Sequence, residues 1–192
     1  MKFPATIASL SLSLGLASAF HIPEGTPDGV YSVHTYHNGT EIHTRLTTPG
    51  AGASARQLRK RQGSYFQGAP QCYGGDEGGE LDHGNTDTAN ANLQYQCGGG
   101  AEIDPGDDFY SIAGNTVAYA CNFGGTDDYT FCFSSTSVQA NQIITNGNGD
   151  GNPGCGEYQP GSIEDVNYLV AYGYENYGSA KGNNFCGRGT QG

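Results

Sequence analysis

The residues best spaced for chemistry lie in NGNGDGNPGCGE, positions 146–157. Asn146, Asn148 and Asp150 hold the first, third and fifth places, Gly151 the sixth and Glu157 the twelfth. Calcium loops use this spacing, because a glycine turn wraps hard oxygens around the ion and a bidentate glutamate closes the site. The departures weigh more. Asn replaces Asp at the first place, Pro153 and Cys155 interrupt the loop, and YQPGS after Glu157 starts no clean helix. The segment reads as an Asn/Gly loop tied by Cys155, with calcium the lesser alternative, and no cofactor is expected.

Acid–base and nucleophilic chemistry find weaker support. Carboxylates come in doublets: Asp76-Glu77, Asp107-Asp108, Asp127-Asp128 and Glu164-Asp165. Glycoside hydrolysis needs two carboxyls about 5–9.5 Å apart across a cleft. Neighbours on a strand point to opposite faces, so each doublet reads as solvated charge. His83 is the one histidine after residue 61, and Asp82 precedes it, but no nucleophile motif accompanies them. It reads as a surface histidine in a polar Gly-rich loop. No catalytic residue is assigned. For binding, Tyr168, Tyr172, Tyr174 and Tyr177 crowd one segment, with Tyr158 upstream. Tyrosine offers rigid area and a hydroxyl to a protein or glycan, and the competing reading is the core of a Trp-free domain.

The cysteines and charges show what must position these groups. Cys72, Cys97, Cys121, Cys132, Cys155 and Cys186 all follow the cluster Arg56, Arg59, Lys60, Arg61. Six cysteines in a secreted chain read as three disulfides, with 15 connectivities open; no C-x₂-C favours zinc. Lys2, an apolar run over 7–16 and Ala17-Ser18-Ala19 have the form of a signal peptide ending at Ala19. Residues 20–61 carry four of the five histidines, the sequon at Asn38 and the small-residue linker TTPGAGASA. They read as a propeptide, cut after Lys60-Arg61 by a kexin-type protease of the secretory pathway so that Gln62 becomes the N-terminus. Residues 62–192, the mature cysteine-rich domain, set two bases against sixteen acids, a formal charge of about −14. That charge disfavours nucleic acid and anionic membrane as partners.

Coarse patterning completes the expectation. FYSIAGNTVAYACNF (109–123) alternates around Gly114-Asn115 as a hairpin, and DYTFCFS (128–134) reads as a strand. DVNYLVAYGY (165–174) and LQYQC (93–97) read as further strands. STSVQANQIIT (135–145) reads as a helix, capped by Ser135 or Ser137, with Val138, Ile143 and Ile144 as its apolar side and Asn146-Gly147 as its stop. The fold class expected is α+β: a small disulfide-braced antiparallel sheet with one short helix and long polar loops.

The signal peptide, HIPEGTPDGVYSVH (21–34), Lys60-Arg61 and the six-cysteine domain together resemble fungal small secreted cysteine-rich proteins, candidate effectors with a kexin-processed propeptide. NTVAYACNFGG, CGEYQPGS, AYGYENYG and NNFCGRG look like recurring phrases of such proteins. The resemblance implies an extracellular role at a host or competitor interface and no particular chemistry. With the secretion signal, the processing site and no catalytic constellation, the expectation is a secreted, non-enzymatic monomer that modulates host defence or cell death through a host extracellular or cell-surface protein or glycan. CFSSTSVQANQ and GNNFC also resemble stretches of secreted fungal guanyl-specific ribonucleases. Those enzymes need histidines, a glutamate and an arginine at the phosphate; His83 and Arg188 stand in unlike surroundings, so a shared fold would imply lost catalysis. A small secreted hydrolase, or a toxin against competing microbes, is the alternative.

Overall fold

Among the described residues, strands outnumber helices. The computed structural model describes residues 19–47, 63–73, 80–124, 128–149, 151–177 and 185–186. Among these residues nine strands and two helices follow in the order β1 (Gly29–Thr35), β2 (Glu41–Leu46), β3 (Gln71–Cys72), α1 (His83–Cys97), β4 (Ala101–Ile103), β5 (Asp107–Ala113), β6 (Thr116–Asn122), β7 (Thr130–Cys132), α2 (Ser134–Asn146), β8 (Gly161–Asp165) and β9 (Val170–Asn176). Seven of the strands form one antiparallel sheet, ordered β2-β1-β5-β6-β9-β8-β3. β4 and β7 pair separately.

The period-two rule assigns the faces. Phe109, Ala113, Ala118, Ala120, Val170, Tyr172 and Tyr174 point toward the helices and pack with Leu81, Ala89, Leu93, Ile143 and Ile144. Alanines on β5 and β6 leave room for α1 to lie close, while α2 packs over β8 and β9. On the other face Tyr31, Val33, Tyr110, Ile112, Val117 and Tyr119 are covered by Phe20, Ile22 and Phe185. Burying Phe20, Ile22 or Val33 stabilises the fold by about 1.5–3 kcal/mol each. The sheet therefore crosses the boundary placed at residue 61, since β1 and β2 precede it.

The α+β class, the antiparallel sheet and the three disulfides are as expected. The hairpin turns at Gly114-Asn115, with Ala113 opposite Thr116, and the 128–134 strand is β7. Three local expectations are corrected. LQYQC (93–97) is the last part of α1, not a strand. Residues 165–174 are the end of β8, a turn and most of β9. In α2 the N-cap is Phe133 without a side-chain cap, and Val138 is exposed while Thr136, Ser137, Ala140, Ile143 and Ile144 are buried.

The cysteines pair as Cys72–Cys155, Cys97–Cys132 and Cys121–Cys186. The first ties β3 to the loop after α2, the second ties the end of α1 to β7, and the third closes the face away from the helices.

Candidate functional site

Helix α1 begins where Asp82 accepts a hydrogen bond from the Asn85 N–H at 2.8 Å, a standard N-cap. Its buried side is Thr86, Ala89, Asn90, Leu93, Gln96 and Cys97, a helical spacing written largely in small and polar residues. The neighbouring side faces α2 across a groove of about 290 Å³. Asp87, Asn90 and Gln94 of α1 line one wall, Asn141 and Thr145 of α2 the other, and Tyr174 of β9 contributes from the sheet.

The turn at Glu157-Tyr158 completes the groove. Tyr158 has φ 55°, a left-handed conformation that a bulky residue adopts only under constraint. Its carbonyl accepts from the Leu81 N–H at 2.9 Å, and its hydroxyl donates to Asp87 Oδ2 at 3.4 Å. Its ring stacks on His83 with centroids 3.7 Å apart and planes 11° from parallel. His83 Nε2 lies 2.6 Å from Glu80 Oε1, and that hydrogen bond, helped by the charges of Glu80, Glu157 and Asp82, raises the imidazole above its ordinary range. Burial raises the Tyr174 hydroxyl, so it stays protonated at neutral pH. The site thus offers amide and hydroxyl hydrogen-bonding groups, two carboxylates and a stacked aromatic wall in one groove.

The loop before Glu157 is fixed by the end of α2. The Cys155 and Gly156 N–H groups donate to the Ile144 and Thr145 carbonyls at 2.6 and 3.1 Å. A Cβ on Gly154 would stand 2.3 Å from the Thr145 oxygen, so only glycine allows this return. Of the calcium candidates, Asn146 ends α2, Asn148 donates to the Gly68 carbonyl at 2.7 Å, Glu157 lines the groove, and Asp150 lies outside the described residues. Asp108, Cys121 and Cys186 bring potential metal ligands together, but both sulfurs are spent in their disulfide.

The four tyrosines do not form one surface. Tyr172 is buried among core residues, Tyr174 reaches the groove from that same face, and Tyr168 packs on Phe133 in the turn before β9. Tyr177 lies on the opposite face and donates to the Pro23 carbonyl at 2.6 Å. His83 begins a helix instead of sitting in a loop, and Asp82 serves as the cap. The sequence reading missed Asp87, Asn90, Gln94, Asn141 and Thr145. The signal there was the Asp82 cap followed by small residues at helical spacing. Asn38 is exposed in the β1–β2 turn, Ala19 is half-buried beside Phe20, and Lys60, Arg61 and Gln62 lie outside the described residues.

Fold and site define a disulfide-braced α+β protein with a polar, aromatic-walled groove between two helices. Compared with protein-family models, curated proteins and solved structures, the chain matches none.

Proposed function

We propose that this is a secreted, effector-like protein that acts by binding a host cell-surface glycan, without catalysing a reaction. The α1–α2 groove carries the reading: convergent amides and hydroxyls satisfy a polyhydroxylated ligand, and the Tyr158 ring, stacked on His83, lines the groove as an apolar wall for a sugar. Three disulfides suit an oxidising extracellular compartment. Asp87 and Glu157 on the groove favour a neutral or amino-sugar ligand over an anionic one.

Titration calorimetry with neutral, amino-sugar and acidic oligosaccharides tests this. Binding of a neutral or amino sugar that drops about tenfold in Tyr158→Ala and in Gln94→Ala, both still folded by circular dichroism, is the expected outcome. Absence of binding across the panel, together with no response when the protein is applied to host tissue, sinks the proposal. A second reading is favoured by the same two carboxylates: a small glycan-active hydrolase. Turnover of a bound oligosaccharide that is lost in Asp87→Asn or Glu157→Gln would replace binding with catalysis.

A further inference from the structure

The segment that composition sets apart before the basic cluster is built into the sheet. β1 lies between β2 and β5, pairing Gly29 through His34 with Ile112 through Asp107. Phe20, Ile22, Tyr31 and Val33 are buried on the face away from the helices. Phe20 stacks on Tyr110 at 5.3 Å and exchanges two backbone hydrogen bonds with Phe185. Polar contacts add register. The Asp28 carboxylate accepts from the Gly114 N–H at 3.1 Å, and His34 Nδ1 lies 2.5 Å from Asp107 Oδ1. Residues 20–61 contain no cysteine, so no disulfide holds them to the remainder.

From this we infer that the processed protein is a two-chain molecule in which residues 20–61 stay bound as a noncovalent light chain whose β1 and β2 complete the sheet. Hydrolysis of the Arg61–Gln62 bond consumes one water and leaves a carboxylate on Arg61 and an amine on Gln62. The position of the cut rests on the dibasic-processing reading; retention rests on the ladder and the buried side chains. Losing the segment would leave β5 with an unpaired edge and uncover Tyr110, Ile112 and Val117, an arrangement that templates aggregation. Retention also keeps four histidines and the Asn38 sequon in the working molecule.

The test compares native with denaturing mass spectra of the secreted full-length protein. The expected result is two fragments when denatured and one species, their sum, when native. Secreted material that is uncut refutes processing in that host but not retention. It is then nicked with a dibasic-specific protease under native conditions and measured the same way. A native mass of residues 62–192 alone, or resistance of the Lys60-Arg61 site to the protease, overturns the two-chain molecule. Val33→Asp, which places a charge at a fully buried position of β1, should cut the co-eluting light chain about tenfold after nicking. Its uncut form reports whether the tethered chain still folds. If that form does not fold, Tyr31→Ala, a milder truncation of the same face, takes its place, and undiminished retention in the folded variant counts against the interface.

Discussion

Asp108 shows how one residue couples this fold to pH. Its side chain is buried on β5; Oδ1 accepts from the Asn122 N–H at 2.7 Å, and Oδ2 has no hydrogen-bond partner among the described residues. Burial raises the carboxyl to about 8, against the Asn122 N–H, which lowers it, and with the charges of Asp107 and Glu41, which raise it further. An unfolded Asp ionises near 3.9, so between about pH 4 and 8 the folded chain retains a proton that the unfolded chain has released. Stability contributed by this group therefore falls as pH rises through that window. Urea midpoints should decline from pH 5 to pH 8 in the native protein. Asp108→Asn should flatten that decline and gain about 1–3 kcal/mol at pH 8, because the amide is neutral in the folded chain without having to hold a proton. An unchanged slope would mean that Asp108 is not the group responsible.

Among the elements, β9 leaves no room for a side chain at Gly173, and α1 depends on its N-cap. Gly173 stands opposite Tyr119 in the β6–β9 ladder, and a Cβ there would approach the Tyr119 hydroxyl to 2.5 Å and its ring to 2.6 Å. Tyr119 is fully buried and donates to Glu175 Oε1 at 2.8 Å, so it has little freedom to move aside. Gly173→Ala is expected to cost about 1–3 kcal/mol, read from the denaturation midpoint, with the sheet pairing intact by circular dichroism. For α1 the decisive feature is the N-cap. Replacing Asp82 by Ala should cost about 1 kcal/mol, and it should also loosen groove binding, because the cap places His83 beneath Tyr158. A stability loss with unaltered affinity for the proposed glycan would separate the helix from the site.

At the scale of the whole molecule, three disulfides join segments that lie far apart in the chain, with separations of 83, 35 and 65 residues. Replacing Cys97 and Cys132 together by Ser should lower stability by about 2–4 kcal/mol, as the unfolded chain regains the entropy that the closed loop removed. Thermal melts with intact-mass control of the remaining two bridges would measure it, and an unchanged melting temperature would refute it.

Local pattern alone determined the β5–β6 hairpin, the strand at 130–132, the span of α2 and the α+β class, because alternation and a glycine turn act over a few residues. Cysteine count determined that three bridges form, but not which. Pairing is a matter of distance, and only the packed sheet brings Cys121 beside Cys186 or Cys72 beside Cys155. Helix α1 escaped the reading because Thr86, Asn90 and Gln96 are buried by neighbours rather than by their own hydrophobicity. The groove escaped with it, since Asp87, Gln94, Asn141 and Tyr158 meet only once both helices lie on the sheet. The segment before the basic cluster is the sharpest case. Its composition marks it as separate, while the ladder to β5 makes it part of the core, because long-range strand pairing and shared burial leave no local trace in the chain.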